Sequence, residues 1–281
     1  MPFDLIVFNK QVYTATTELV DQQVQLFNAA SGGAITLSSS TDNQGNFTMR
    51  ASFKSIAGLV RHRDVYNGQN AVAAVRLNQL QNNSVKTASG TPPIEFEQAQ
   101  FRWIQQNPAE AALIIGRQLA EGTVQDMLNT AVAGAVAAIS GVAALNYTDA
   151  DSTALRFIDL VSGAGKFGDR QGQILAWIMH SKSMTDLYAN AVNNNERLFT
   201  YGSVNVTRDP FGRLLIMTDS DSLVVPGTPN TYKVLGLVSG GILVEQNNDF
   251  RANLQTANGK ENIQDSYQAE GSYNLGLLGY S

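Results

Sequence analysis

The chain has 281 residues, of which 43% are hydrophobic and 15% charged, with a formal net charge of −5 and no cysteine. That size buries a sizeable core, as one elaborated domain or two smaller ones, and the missing thiols exclude disulfides, thiolate nucleophiles and thiolate zinc sites. An acidic balance argues against sequence-independent nucleic-acid binding, which needs a basic surface to release counterions from phosphates. No apolar run reaches the ~18 residues that span a bilayer. The start MPFDLIVFNK carries Asp4 where a secretory leader is basic, so the chain reads as soluble and unexported, and the sequons at Asn46 and Asn205 carry no glycosylation meaning. Charged residues fall well short of the typical ~25%, a depletion shared with the cores of protein interfaces.

In chain order, Leu19, Val20, Val24 and Phe27 repeat at helical spacing and predict a short amphipathic helix over 12–29, stopped by Gly32-Gly33. A short apolar piece at 34–37 precedes a polar loop, SSSTDNQGN. In FTMRASF, Phe47, Met49, Ala51 and Phe53 alternate with polar residues, the period of a half-buried strand. A turn at Asn67-Gly68, a helix over 71–80, a turn at Ser89-Gly90 and a second alternating piece at 94–97 follow. Residues 33–106 hold few large apolar side chains, so this region either projects as an arm or packs against another molecule. Its one compact basic cluster, Arg61-His62-Arg63, is followed at once by Asp64 and reads as a solvated loop or an intersubunit ion pair.

The longest helix-compatible run is Asn107 to Ser140. Asn107 stands at the cap position, Pro108 at the first helical position and Glu110 where a capping-box carboxylate reaches back. Val124, Leu128, Val132, Val136 and Ile139 form one stripe. Unbroken, the helix is roughly 50 Å long at ~1.5 Å per residue. Gly116, Gly122 and Gly134 each weaken it, and Thr123 with Asp126 offers a second cap after a break at Gly122, but a single long helix is the favoured reading. With no second helix of comparable length predicted, the stripe is expected to lie on a sheet, and the three glycines to bend the helix.

Beyond it, 151–161 reads as a helix with Leu155, Ile158 and either Leu160 or Val161 buried; ILAWIM at 174–179 reads as a strand buried on both faces. A helix over 181–192 buries Met184, Leu187, Tyr188 and Ala191, and short strands are expected at 203–206, 214–217, 232–238 and 241–245. Turns fall at Asp209-Pro210-Phe211-Gly212 and Pro226-Gly227, and 250–279 reads as further strand or irregular chain. The class is α+β, with no repeat and no βαβ rhythm.

Chemistry-bearing motifs are weak. His62 and His180 belong to no ligand set, and His180 at a strand end reads first as a backbone-bonded histidine. The loop Gly163-Ala164-Gly165-Lys166-Phe167-Gly168 fails as a phosphate cradle, because Leu160 stands at the first glycine position and Phe167 replaces the hydroxyl residue. Gly236-Leu237-Val238-Ser239-Gly240 misses the nucleophile elbow by one residue. The pairs Asp149/Asp151 and Asp219/Asp221 lack an EF-hand's glycine and distal glutamate and read as turn caps. No catalytic, cofactor-binding or metal residue is assigned, and no cofactor is implied.

Three segments carry a family resemblance: ILAWIMHSKSMTDLYANAV, NVTRDPFGRLLIMTDSDSL and KENIQDSYQAEGSYNLGLLGY. With the order of parts, they resemble the major capsid protein of tailed bacteriophages, the Hong Kong phage type of capsid fold, shared with encapsulin shells. The resemblance implies an N-terminal arm at 1–32, an extended β loop at 33–106, a peripheral domain with its spine helix at 107–144, an axial domain at 145–250, and C-terminal strands at 251–281 returning to the peripheral domain. It implies a non-enzymatic structural protein that self-assembles into hexamers and pentamers of an icosahedral shell around viral double-stranded DNA. Synthesis in the host bacterial cytoplasm and residence in the virion capsid follow. Implied partners are copies of itself, a scaffolding protein made separately (the chain starts directly at the arm), a portal and a decoration protein, with packaged DNA touched only non-specifically and no membrane. Some relatives cross-link Lys to Asn; Lys54 and Lys86 lie in the relevant region without an identified partner. The alternatives are an encapsulin-type compartment and a metal-dependent hydrolase using the Asp pairs.

Overall fold

A computed structural model describes residues 5–41, 47–53, 60, 62, 65–66, 71–96, 98–149, 154–193, 199–200, 207–209, 211–247, 249–258 and 263–278. The chain opens with α1 (Leu5–Ala30), then β1 (Ile35–Thr41), β2 (Phe47–Phe53), β3 (Gln79–Gly90), β4 (Ile94–Phe96), α2 (Gln98–Gln106) and α3 (Pro108–Ser140). The second half runs α4 (Phe157–Gly165), β5 (Ile174–Met179), α5 (Ser181–Asn193), β6 (Phe199–Thr200), β7 (Thr207–Arg208), β8 (Leu214–Met217), β9 (Val224–Val225), β10 (Thr231–Tyr232), β11 (Leu235–Val238), β12 (Ile242–Asn247), β13 (Arg251–Ala257) and β14 (Gln264–Leu277).

The expected long helix is α3, unbroken through all three glycines over 33 residues. Its start differs in detail: Pro108 opens it, but Asn107 makes no side-chain cap bond. The predicted stripe is present, with Val124, Val132 and Val136 buried and Leu128 and Ile139 half-buried, and Met127, Ala131 and Ala135 widen it.

The partner of α3 is not a sheet alone. Helix α1 begins seven residues earlier than the periodicity over 12–29 suggests, reaches 26 residues, and packs along α3. Phe8, Val12, Thr16, Val20 and Val24 are buried at a strict spacing of four. Thr16 hides that row from a hydrophobicity count, yet its hydroxyl donates to the Val12 carbonyl at 2.8 Å, leaving its methyl to pack. The two helices approach closely because Gly116 has no side chain: a Cβ there would lie 3.0 Å from the Ala15 Cβ and 3.2 Å from the Thr16 backbone nitrogen.

Beneath the helices lies a seven-stranded sheet ordered β1-β12-β14-β3-β2, with β13 and β4 also paired to β14. All pairs are antiparallel except β1 with β12, which run parallel with Ile35 opposite Ile242. β14 is the hub, so the C-terminal segment left open between strand and irregular chain is strand. Gly134 of α3 sits over it, where a Cβ would meet the Leu275 side chain at 2.6 Å. One buried cluster joins the C-terminal parts of α1 and α3 to both sheets; a second joins their N-terminal parts to α2, β13 and β14.

The second sheet, β11-β5-β8-β7-β6, has a parallel β5–β8 pair at its centre and carries α4 and α5 on its own apolar cluster. β5 is buried as expected, and α5, β8, β11 and β12 fall close to their predicted places.

Other expectations fail. Residues 71–78 are not helical, and 79–80 open the twelve-residue β3. The helix α2 has no counterpart in the sequence reading; among its described side chains Ile104 is the one buried apolar residue. α4 starts at Phe157 instead of 151, and turns Leu160 inward while Ile158 is 57% exposed. The strand expected at 203–206 and the turn at Asn67-Gly68 lie outside the described residues.

Candidate functional site

The chemical candidates resolve into structural roles. His180 and Asp219, distant in sequence, are brought together at the N-terminus of α5, with His180 Nε2 3.7 Å from Asp219 Oδ1. The Lys182 backbone N–H donates to His180 Nδ1 at 3.1 Å, and the Ser181 N–H donates to Asp219 Oδ1 at 3.3 Å. These are two of the orphan donors of a helix start, so the pair caps α5. Hydrogen bonding from Ser181 leads, with the nearby imidazole adding to it, in holding the Asp219 carboxyl below its ordinary value of 3.8. The Ser181 hydroxyl also lies 3.4 Å from His180 Nδ1, but that nitrogen is held more closely by the Lys182 amide and Asp219 accepts from the Ser181 amide, so all three side chains serve the helix start.

Asp221 is exposed, and Asp149 lies 3.6 Å from the Arg156 guanidinium, while Asp151 lies outside the described residues. Among the described residues no group of three or more His, Asp or Glu side chains is placed to hold a metal. The loop from Gly163 is the end of α4, and a Cβ on Gly163 would only touch the Trp177 ring at 3.9 Å. Gly236 lies in strand β11 against the same indole, where a Cβ would come within 2.7 Å, so that glycine answers a packing need. Lys86 is engaged within its own chain, 3.1 Å from Asp249 Oδ2. Burial works against the Asp249 charge, but hydrogen bonds from Ser272 and Lys86 outweigh it and keep that carboxyl below the usual range. Lys54, Arg61 and Arg63 lie outside the described residues, and His62 is exposed.

What the molecule does offer is uncovered surface. A compact monomer of 30.3 kDa would expose about 11,800 Å² by area scaling. This chain exposes 18113 Å². Part of the excess is apolar: Val65, Val72, Val75 and Leu77 are exposed in residues that form no helix or strand, and Tyr66 is 99% exposed. Leu113 and Ile114 face outward on α3, and Phe211 outward from the turn before β8. Monomeric soluble proteins rarely leave this much large apolar surface uncovered, and such surface marks interaction sites.

The Gp13-like family profile, described as Major capsid protein 13-like, matches residues 4–281. The chain belongs to this major capsid protein family. Three solved structures from phages resemble this Gp13-like capsid protein over most of both chains. That of Mycobacterium phage Cain aligns with a TM-score of 0.55 at 11% identity, covering 88% of this chain and 83% of that one. That of Microbacterium phage Oxtober96 gives 0.50 at 15%, covering 89% and 84%. The Cyanophage Pam1 capsid asymmetric unit gives 0.51 at 11%, covering 88% and 87%. At these identities the structures show a shared fold, and the family assignment shows the capsid role. No curated protein matches the chain. The capsid protein's fold class and shell role thus agree with the resemblance read from the three sequence segments, and its uncovered apolar surface is what a self-associating subunit requires.

Proposed function

We propose that the chain is the structural, non-catalytic subunit of an icosahedral virion shell, assembling into pentamers and hexamers around double-stranded DNA. The observation that carries this reading is the apolar surface of Val65, Tyr66, Val72, Val75 and Leu77, which lies in no helix or strand and which a family of shell proteins supplies with a partner: a neighbouring copy. Residues 1–32 act as the arm, 33–106 as the extended loop, 107–144 as the peripheral domain with α3 as its spine, 145–250 as the axial domain, and 251–281 as strands returning to the peripheral sheet. Supporting the last assignment, β14 pairs with β12 and β3, and β13 pairs with β14, in the sheet beneath α3. Many overlapping contacts of small individual energy, each made effectively intramolecular by the last, give such a shell its strength.

Synthesis in the host bacterial cytoplasm, with a scaffolding protein, a portal and a decoration protein as partners, completes the proposal. The net charge of −5 suits a wall that encloses DNA without gripping it. An encapsulin-type compartment shares this architecture, but the matched family is one of major capsid proteins, which favours the virion. The test is expression of the chain, alone and with its scaffold, followed by negative-stain imaging. Closed particles of uniform size are expected; a monomer that persists at high concentration and in the presence of scaffold would sink the proposal.

A further inference from the structure

Strand β8 carries a different apolar–charged pair at each end. At its start, the turn from Asp209 to Arg213 holds Phe211, 64% exposed, stacked on Phe157 with ring centroids 5.9 Å apart. The Arg213 guanidinium lies 5.4 Å from the Phe211 centroid and 5.8 Å from that of Trp177, and it donates to the Gln171 carbonyl at 3.2 Å. Among the described residues Arg213 has no carboxylate partner. Asp209 is buried and spends Oδ1 on the N–H groups of Phe211 and Arg213, at 2.9 and 2.8 Å, so it shapes the turn without neutralising the arginine. Phe211, Gly212 and Arg213 wall an open groove of about 620 Å³ that is also lined by Val161, Ala164, Ile174 and Leu175. Lys166 and Arg170, both exposed on the α4–β5 connection that forms the other wall, outnumber Asp169 there.

At the far end of the four-residue β8, roughly 13 Å away at ~3.3 Å per residue, stand Met217, 45% exposed, and Asp219, whose side chain is 71% exposed. The Thr218 N–H bonded to the Met179 carbonyl at 3.0 Å, with the Ser181 bond to Asp219 Oδ1, fixes this tip. Asp221 adds a second exposed carboxylate. The basic groups nearby are local: the His180 ring lies 3.7 Å from Asp219 Oδ1, Lys182 is paired with Asp186, and Lys233, half-buried, bonds its backbone N–H to the Leu223 carbonyl.

An aromatic–cation groove and a thioether–carboxylate tip are complementary in both polarity and charge. Lying at opposite ends of one short strand, they cannot meet within a chain. We propose that the 217–221 tip of one copy enters the Phe211–Arg213 groove of the next, Met217 against the Phe211 ring and Asp219 against the Arg213 guanidinium. The contact is heterologous, head to tail, and repetition about an axis closes it into a ring. It deepens the shell-subunit reading and rests on it, since it names a surface by which neighbouring copies are joined.

The cysteine-free chain allows a direct test. Particles are assembled from a Phe211→Cys, Met217→Cys double variant, treated with a short bis-maleimide, and run on a denaturing gel. The expected result is a ladder rising to the ring size. Each single variant alone gives no cross-link, and particles co-assembled from the two single variants give dimers and nothing larger. Both side chains are exposed, so the single variants keep the fold, and the mixed particles serve where the double variant does not assemble. Assembled particles that show no product, or dimers from Phe211→Cys alone, overturn the head-to-tail contact while leaving the shell reading intact. Failure of the unsubstituted chain to assemble overturns the shell reading, and this contact with it.

Discussion

Two glycines on one helix face opposite environments, and alanine at each gives opposite results. Replacing an interior helical glycine with alanine gains about 1 kcal/mol in propensity. At Gly122 nothing among the described residues lies within 4 Å of the new Cβ, so Gly122→Ala keeps that gain. At Gly116 the same Cβ meets Ala15 at 3.0 Å and Thr16, whose backbone nitrogen lies at 3.2 Å and hydroxyl at 3.3 Å. Backbone cannot swing aside as a side-chain tip can, so α1 has to shift away from α3, and overpacking of this kind costs about 1–3 kcal/mol. The net for Gly116→Ala is a loss of roughly 1 kcal/mol once the propensity gain is set against it. In a chain of this length each kcal/mol moves the melting midpoint by about 2 °C. Thermal and urea unfolding of the unassembled subunit therefore ought to show Gly122→Ala above the parent and Gly116→Ala below it. Equal stabilisation by both would refute the close approach of the two helices.

Two buried tyrosines differ in the same instructive way. Tyr273 shares its hydroxyl with Thr130 at 2.7 Å and Asp126 at 2.9 Å, joining β14 to α3, so Tyr273→Phe is expected to cost about 0.5–1.5 kcal/mol. Among the described residues the fully buried Tyr267 hydroxyl has no partner, so Tyr267→Phe should be neutral or stabilising in the same unfolding assay. Burial pushes both phenols from 10.0 up to about 12, with Asp126 adding to the effect on Tyr273. The folded state holds these protons more tightly than the unfolded chain, so their contribution is complete below pH 10 and drains away as pH rises toward 12, which alkaline difference absorbance alongside unfolding will read. Asn28 pairs with both the N–H and the C=O of Leu37, at 2.9 and 2.7 Å, closing the free edge of β1 as a strand would; Asn28→Ala should speed amide exchange at Leu37 and lower stability by about 1–3 kcal/mol.

Much of this architecture is legible in the residues where one period dominates. ILAWIM and the α3 stripe each state their element because their packing is within the chain and regular, and the alternation of FTMRASF falls on β2. The misses have a common physical origin. Residues 71–78 look helical from composition, yet helix formation needs a face to bury, and these side chains are all exposed on their own chain. Thr16 interrupts the apolar row of α1 although its hydroxyl is bonded to Val12, so the periodicity shows only part of a helix of 26 residues. The His180–Asp219 cap joins residues 39 positions apart, and only the parallel pairing of β5 with β8 brings those strand ends together.

The glycines of α3 carry that point further. A propensity scale counts Gly116 and Gly134 as two defects, and the sequence reading assigns them to bending. The structure supplies a different use: Gly116 admits α1 and Gly134, about five turns further along the same face, admits Leu275 of β14, so each marks where another element presses against the helix. Gly122, with open space around it, serves no such contact within the chain. A helix clamped at two points along its length, by a helix at one and a sheet strand at the other, resists bending and twisting better than one held by a single stripe. If α3 is the spine of a tile, stiffness is the property the tile needs, because a thin wall transmits load between neighbours only as far as each subunit keeps its shape. Gly134→Ala separates the two uses. Its Cβ would meet a flexible leucine tip at 2.6 Å, so it should cost no more than the ~1–3 kcal/mol of ordinary overpacking. A clamp loosened this way leaves the subunit folded but yields shells of mixed size under the electron microscope, whereas shells as uniform as the parent's would show that the contact with β14 is packing and nothing more.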